Sequence, residues 1–222
     1  MKQNKKPSPA HRPWPVHARQ VRIIGGLWKR TPLAVIDSEG LRPTPDRVRE
    51  TVFNWLTHLL DGRWSEVRCL DLFAGTGALG FEAASRGAAQ VTMIEHNTPA
   101  VRQLEVTKAK LNASQVLIQR GDALSVLQAL AGKALADADN SAENARFNLI
   151  FLDPPYHQDW LGKTLPLCER LLTDHGLIYV ESEFALIETA DIALPDWMAG
   201  WQAVRADKAG MVFYHLLQRR QR

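Results

Sequence analysis

A glycine-rich turn, Asp71-Leu72-Phe73-Ala74-Gly75-Thr76-Gly77-Ala78-Leu79-Gly80, sets the architecture expected of this chain. The apolar residues before it predict a strand over 67–72, and the residues after it predict a helix over 78–86. Glycines at such a strand-to-helix turn let the backbone come close to a bound ligand. Their spacing also matches the dinucleotide-binding fingerprint, so this turn alone fits NAD as well as other nucleotide-like cofactors.

Strands and helices alternate on both sides of this turn. Further strands are predicted over 91–95, 116–119, 148–152 and 177–180, and further helices over 46–60, 98–111, 122–130 and 160–172. Thr44 or Asp46 is the predicted N-cap of the first helix. Repeated βα units with near-continuous apolar strands predict a mainly parallel, doubly wound α/β sheet. The runs 201–205 and 211–217 predict an antiparallel pair at one edge of the sheet.

The chain divides into three predicted parts. Residues 1–18 are rich in proline and predict a flexible basic arm, 19–45 a hairpin and linker, and 46–222 the main domain. The hairpin joins β-rich runs at 21–24 and 33–36 through an exposed, basic tip that carries Trp28. Residues 131–146 predict a mobile surface insertion.

Composition narrows the class of protein. The chain has 222 residues and no apolar run of about 18 residues, so we expect one main domain and no membrane span. The N-terminus has no secretory signal pattern, which predicts a cytoplasmic protein. Cys69 and Cys168 are expected to be buried thiols. They form no metal site by themselves, and a cysteine nucleophile is disfavoured.

Positive charge is concentrated at the N-terminus. Residues 1–30 carry eight basic and no acidic residues, whereas residues 31–222 carry a net charge of −5. This asymmetry predicts a phosphate-binding end, with a solubilising tail as the alternative for 1–18. The predicted RNA contacts are Arg22, Trp28, Lys29, Arg30, Arg42 and Arg47. For Arg47, and for Arg49 beside it, helix-surface ion pairs with residues such as Glu50 are the alternative.

Acidic residues stand at the ends of four predicted strands, namely Asp71, Glu95, Asp122 and Asp153. Ligands of doubly wound sheets bind at these ends. A carboxylate at 71 suits the cationic amino group of S-adenosylmethionine and would repel a pyrophosphate. Glu95 is placed for ribose hydroxyls and Asp122 for an adenine amine. The predicted cofactor residues are Asp71, Phe73, Gly75, Gly77, Glu95 and Asp122. Helix capping is the alternative for any one of these acids.

The segment Asp153-Pro154-Pro155-Tyr156 carries the predicted chemistry. The prolines remove backbone donors and stiffen the turn, so the segment presents acceptors only. We expect the Asp153 carboxylate and the Pro154 carbonyl to accept from an exocyclic amine of a nucleobase, and Tyr156 to stack on that base. The expected reaction is methyl transfer, which depends mainly on positioning.

Four segments resemble the RsmD-type methyltransferases, a family that modifies a guanine N2 amine in bacterial 16S ribosomal RNA. They are Arg22 to Gly26, Leu41 to Leu56, Asp71 to Gly77, and Asp153 to Tyr156, within a likeness over roughly 20–217. The resemblance implies a Rossmann-like, class I S-adenosylmethionine-dependent domain with a seven-stranded sheet and a small N-terminal hairpin. It also implies an assembling 30S subunit as substrate, and we expect a monomer. Arg42-Pro43-Thr44-Pro45-Asp46-Arg47-Val48-Arg49-Glu50 is the most specific segment.

Other functions fit parts of the pattern. Adenine-N6 methyltransferases of DNA or RNA and glutamine-amide methyltransferases share the Asp-Pro-Pro-Tyr motif. DNA enzymes usually add a target-recognition segment, for which the residues after Tyr156 leave no room, and a glutamine-modifying enzyme has little use for a basic arm. A catalytically silent RNA-binding assembly factor is the alternative of a different class. The intact motifs argue against it.

Overall fold

A computed structural model describes residues 20–35, 44–136, 146–155, 158–188 and 193–220. The arm 1–18 and two of the predicted site residues, Tyr156 and Arg42, lie outside the described residues. Within the described ranges, no helix has the length and apolar character to cross a membrane.

The described strands and helices follow the alternation expected from the sequence. The strands are β1 (Gln20–Arg22), β2 (Pro32–Ala34), β3 (Arg68–Asp71), β4 (Gln90–Glu95), β5 (Val116–Arg120), β6 (Phe147–Leu152), β7 (Leu172–Ser182), β8 (Trp201–Ala209) and β9 (Val212–Arg219). The helices are α1 (Asp46–Leu59), α2 (Ala78–Ser85), α3 (Thr98–Leu111), α4 (Ala123–Ala136) and α5 (Trp160–Leu171). Most of the predicted boundaries agree within one or two residues.

Seven strands form one sheet in the order β5-β4-β3-β6-β7-β9-β8. The strands from β5 to β7 pair in parallel, and β9 joins β7 and β8 antiparallel at the edge. The predicted α/β fold and its antiparallel edge pair are therefore confirmed. The chain winds outward from β3 to β5 and then returns to β6 on the other side of β3. This reversal opens a crevice at the carboxyl ends of β3 and β6, the position where doubly wound sheets bind ligands.

Both faces of the sheet are covered, which explains the near-continuous apolar strands. Leu149 and Phe151 of β6 pack with residues of α1, α2 and α3. Ile150 and Leu152, the alternate residues, pack with α4 and α5 on the opposite face. Both cysteines are buried, as expected, and burial raises the pKa of each thiol.

Three sequence predictions about local structure were wrong. The N-cap of α1 is Pro45, and no side chain caps this helix, because the Thr44 hydroxyl contacts carboxyl groups elsewhere. Helix α4 continues to Ala136, into the predicted insertion, since alanine-rich sequence favours helix. Strand β7 begins at Leu172 rather than at 177, because pairing with β6 extends it.

The N-terminal hairpin of β1 and β2 docks on α2 through its backbone. The fully buried Glu82 carboxylate accepts from the amides of Ile24 at 2.6 Å and Gly25 at 2.9 Å. The Leu27 amide donates to the carbonyl of Ser85 at 2.7 Å. The hairpin is therefore fixed to the main domain by buried, charge-assisted hydrogen bonds.

Candidate active site

The turn between β3 and α2 adopts a conformation that requires glycine. Gly75 and Gly77 have φ values of 52° and 76°, in the left-handed region. A Cβ at Gly77 would also lie 2.6 Å from side-chain atoms of both Leu104 and Phe81. A side chain at position 77 would therefore clash with these neighbours, whereas glycine lets the backbone of the turn stay close to the crevice.

Asp71, at the end of β3, is a buried carboxyl group beside this turn. Its Oδ2 accepts from the Gly80 amide at 3.0 Å, and the residue is 2% exposed. Burial raises the pKa of Asp71 to about 7, and the negative charge of Glu95 adds to this effect. A cation beside Asp71 would stabilise its ionised form. This environment fits the amino group of S-adenosylmethionine.

Glu95, at the end of β4, links the turn to the start of α3. One carboxylate oxygen accepts from the Gly75 amide at 2.8 Å, and the other accepts from the Asn97 amide at 2.7 Å. His96 Nδ1 lies 3.3 Å from the second oxygen. A carboxylate has about four acceptor positions, so Glu95 has the capacity for ribose hydroxyls while it holds the turn.

Asp122 and Phe73 occupy the sides of the crevice. Asp122 is exposed, and one of its oxygens accepts from both the amide and the hydroxyl of Ser125, which lowers the pKa of Asp122. It therefore makes the helix-capping contacts that were the alternative to a cofactor contact. The half-buried Phe73 ring packs edge-on against Trp160, with centroids 5.4 Å apart.

Asp153 follows β6 on the other side of the crevice, within a cluster of buried oxygen atoms. The Thr44 hydroxyl lies 3.3 Å from Asp153 Oδ2 and 2.6 Å from Glu181 Oε1. The Tyr179 hydroxyl donates to the same Glu181 oxygen at 2.8 Å. Burial raises the pKa of Asp153 well above its usual range, and the charges of Glu181 and Asp71 raise it further. Burial also raises the pKa of Glu181.

A pocket opens next to this cluster. Its lining includes both prolines of the motif, a glutamate at the end of β7 and three aromatic residues. These residues are Pro154, Pro155, Trp160, Glu181, Phe184 and Trp197. Phe184 packs against Trp197 with ring centroids 6.5 Å apart, and 46% of Phe184 is exposed. The pocket thus combines hydrogen-bond acceptors with aromatic surface, a composition that suits a flat, donor-bearing ring.

The predicted RNA contacts fall into two separate groups in the structure. Arg22 and Arg47 are exposed near the start of α1, and Arg22 Nε pairs with Asp46 at 2.7 Å. Lys29 and Arg30 are exposed at the hairpin tip, which contacts the last residues of α2. Because α2 runs away from the carboxyl ends of the strands, the tip lies towards the amino ends of the strands.

Two expectations about these residues were wrong. Trp28 is half-buried against the core rather than fully exposed, because its amide donates to the Ser85 hydroxyl at 2.9 Å and holds the tip on α2. Arg49 forms an ion pair within α1, with Asp46 at 2.6 Å, but its guanidinium is buried rather than at the surface. Its guanidinium donates to the carbonyls of Thr44 and Arg22 and to Asp46, so it joins the hairpin to the loop that carries Thr44.

A family model described as "Conserved hypothetical protein 95" matches residues 21–218. The chain belongs to this family. The ribosomal RNA small subunit methyltransferase D of Escherichia coli K12 is 41% identical over 202 residues, which are 90% of each chain. The protein of the same name from Haemophilus influenzae is 37% identical over 203 residues, 90% of this chain and 94% of the other. The family is the one that the sequence motifs indicated.

Solved structures agree with this assignment. The structure of yhhF from Escherichia coli superposes with a TM-score of 0.69 at 39% identity, over 90% of this chain and 98% of the other. More distant methyltransferases share the fold. The architecture is therefore the class I methyltransferase fold, with a mostly parallel seven-stranded sheet.

Sequence reasoning missed several residues of the site in this family member. Glu181 stands at the end of β7, in the position where acids were singled out on four other strands, so the same rule could have found it. Thr44 was assigned to helix capping instead. Phe184 lies in the bend after β7 and Trp197 in a three-residue 3-10 helix (Asp196–Met198), and nothing in the sequence pattern connects them with the motif at 153–156.

Proposed function

We propose that this protein transfers a methyl group from S-adenosylmethionine to the exocyclic N2 amine of a guanine in 16S ribosomal RNA. The proposed substrate is the RNA within an assembling 30S subunit, and we expect a cytoplasmic monomer. One observation carries the proposal: Asp153 and Pro154 lie at the switch point of the sheet, between the glycine turn and a pocket with aromatic walls. The names of the relatives at 41% and 37% identity support ribosomal RNA as the substrate.

The cofactor contributes an activated methyl group on a sulfonium. On our proposal, Asp71 pairs with the amino group of its methionine part, and Glu95 accepts from its ribose hydroxyls. Gly75 and Gly77 allow the backbone to approach it, while Phe73 contributes apolar surface. Asp122 is proposed to accept from its adenine amine, in addition to the capping contacts with Ser125.

The acceptor amine is proposed to donate to the Asp153 carboxylate and to the Pro154 carbonyl. These two acceptors orient the nitrogen towards the methyl group and stabilise the positive charge that develops on the nitrogen during transfer. Pro155 keeps the turn rigid. Tyr156, outside the described residues, is proposed to stack on the base. A base reaches this site only after it leaves its helical stack.

RNA binding is proposed to use the basic residues Arg22, Lys29, Arg30, Arg42 and Arg47, together with Trp28 of the hairpin. Exposed guanidinium and ammonium groups neutralise phosphates and dominate affinity. For Trp28 the half-buried ring leaves only part of its surface for a base. The hairpin tip is therefore proposed to contact RNA beyond the target nucleotide.

The experiment that tests this function is transfer of a labelled methyl group to unmodified 30S subunits and to naked 16S RNA. We expect label in RNA with the native protein and a loss of at least 100-fold in rate with Asp153→Ala, because both orientation and charge stabilisation are removed. Asp174→Ala, which changes an exposed aspartate outside the site, serves as the matched control and is expected to retain native activity. Label in protein alone, or equal rates for native protein and Asp153→Ala, would contradict the proposal.

A further inference from the structure

Three side chains behind Asp153 have no role in the function proposed above. Thr44, Tyr179 and Glu181 are 5%, 0% and 4% exposed, and they come from the loop before α1 and from β7. The Thr44 hydroxyl lies between two carboxyl groups, 2.6 Å from Glu181 and 3.3 Å from Asp153. The molecule thus keeps the buried Glu181 carboxyl and the half-buried Asp153 carboxyl joined through a single hydroxyl, which is a costly arrangement without a cation.

The Thr44 hydroxyl has only one proton, so it can donate to only one of the two carboxyl groups. It donates this proton across the shorter contact, to Glu181. Its contact with Asp153 is then favourable when the Asp153 carboxyl is protonated and donates to the Thr44 oxygen. The Tyr179 hydroxyl also donates to Glu181 Oε1, so two donors stabilise Glu181 as an anion. Reversing both hydrogen bonds moves one proton from Asp153 to Glu181.

We propose that Asp153, Thr44 and Glu181 form a proton relay, in which the Thr44 hydroxyl passes to Glu181 the proton that amine methylation delivers to Asp153. The inference rests on the proposed function. In the reaction an N–CH₃ bond forms as the S–CH₃ bond breaks, and the nitrogen loses one proton to an Asp153 oxygen. Asp153 then donates to the Thr44 oxygen while Thr44 donates its own proton to Glu181. Glu181 lines the pocket and releases the proton to water there.

Charged and titratable groups on the neighbouring elements are compatible with this path. Asp71, on the cofactor side, raises the pKa of Asp153 through its charge. Burial and the charge of Glu181 raise the pKa of Tyr179, which therefore stays a donor, and Tyr214 of β9 adds to that shift. Arg49 donates from Nε to the Thr44 carbonyl at 3.2 Å and fixes the residue without using its hydroxyl. Asp159 and Glu183 line the outer part of the pocket.

Thr44 and Glu181 act through Asp153, so they are positioning residues, and the pH profile distinguishes relay from packing. We expect Thr44→Val to lower the single-turnover rate at least tenfold at neutral pH. The Thr44 hydroxyl contacts Asp153 at 3.3 Å, so its loss should also shift the acid limb of the profile. Glu181→Gln removes a neighbouring negative charge and should move the acid limb to lower pH, with a reduced plateau. A shifted acid limb in both variants is not expected from a general loss of packing.

Two further variants complete the test. Thr44→Ser keeps the hydroxyl and should recover the native profile and most of the rate. Thr164→Val makes the same chemical change at another buried threonine, whose hydroxyl donates to the Trp160 carbonyl of its own helix, and should leave the profile unchanged. Affinities for S-adenosylmethionine and for RNA should change less than threefold in Thr44→Val.

The outcomes separate the relay from the function on which it rests. Native protein that methylates RNA, with a native pH profile in both Thr44→Val and Glu181→Gln, would overturn the relay alone. Equal losses in Thr44→Val and Thr44→Ser would also overturn it, since the hydroxyl would then be irrelevant. A native protein that methylates no RNA would overturn the proposed function, and with it the relay. Should Thr44→Val fail to fold, the downward shift in Glu181→Gln decides the question.

Discussion

Acidic residues at equivalent positions of neighbouring strands have different properties in this molecule. Burial raises the pKa of Asp71 to about 7, whereas two hydrogen bonds from Ser125 lower the pKa of the exposed Asp122. Glu95 is tied to two backbone amides, and Asp153 is joined to Glu181 through Thr44. The position along each strand brings these acids to one crevice. Their local partners determine which of them suits a cation, a hydroxyl or an amine.

The raised pKa of Asp71 predicts a pH-dependent stability. Its folded-state pKa of about 7 exceeds its ordinary value of 3.8, so the folded protein holds a proton that the unfolded chain has lost between these pH values. This contribution to stability is complete below about pH 4 and is lost as pH rises through 7. Asp71→Asn should therefore gain on the order of 4 kcal/mol in free energy of unfolding at pH 8, relative to native protein, and little at pH 4.

Urea unfolding of both proteins at pH 4 and pH 8 measures this difference, since all other titrating groups are shared. The same variant should bind S-adenosylmethionine at least tenfold more weakly at pH 8, because the proposed ion pair is lost. An unchanged stability difference between the two pH values would show that Asp71 does not titrate as described.

The hairpin and α2 behave as one unit at the scale of secondary structure. Buried Glu82 accepts from two hairpin amides and from Arg86 Nε at 2.8 Å, so its charge is compensated on both sides. Gly26 permits the close approach: a Cβ there would lie 1.9 Å from the Ser85 carbonyl oxygen. Backbone contact of this kind leaves no alternative to glycine.

Gly26→Ala should undock the hairpin, and Gly210→Ala provides the control. Both glycines have positive φ, 73° and 63°, but a Cβ at Gly210 meets nothing within 4 Å. Gly210→Ala is expected to cost about 1 kcal/mol from backbone strain alone, and Gly26→Ala roughly 3 kcal/mol or more. Amide hydrogen exchange over residues 20–35 should increase in Gly26→Ala only. Equal effects of the two substitutions would contradict the docking.

Helices and strands were predicted well from the sequence where capping residues mark their ends. Helix α3 has the predicted boundaries, since Asn97 accepts from the Ala100 amide at its start and Asn112 ends it in the left-handed region. Strand β7 was predicted too short, because Leu172 pairs with Phe147 ahead of an irregularity in register, and Leu177 then pairs with Leu149. The contact between Thr44 and Glu181 joins residues 137 positions apart, which no periodicity connects.

Charge is distributed unevenly over the whole molecule, with eight basic residues in 1–30 and a net charge of −5 in the remainder. The hairpin brings exposed Lys29 and Arg30 from this basic segment to the far end of α2. An RNA that enters the pocket and also contacts the hairpin tip would therefore reach from the carboxyl ends of the strands to the far end of α2. This arrangement favours a large, folded RNA substrate over a short single strand.

Lys29→Ala with Arg30→Ala should weaken RNA binding and reduce the slope of log affinity against log salt by about one to two, because two phosphate contacts are lost. Affinity for S-adenosylmethionine should not change. Arg102→Ala with Lys110→Ala removes the same two charge types from exposed positions on α3 and serves as the control. A salt slope equal to that of native protein would remove the hairpin from the RNA surface.

The proposed methyl transfer to an exocyclic guanine amine is tested most directly by the identity of the product nucleoside. RNA from 30S subunits treated with native protein and isotope-labelled S-adenosylmethionine would be digested to nucleosides and analysed by mass spectrometry against synthetic standards. We expect label in N2-methylguanosine, and none with Asp153→Ala. Label in N6-methyladenosine would keep the amine chemistry but contradict guanine as the target, and label on a ring carbon would contradict the chemistry assigned to Asp153 and Pro154.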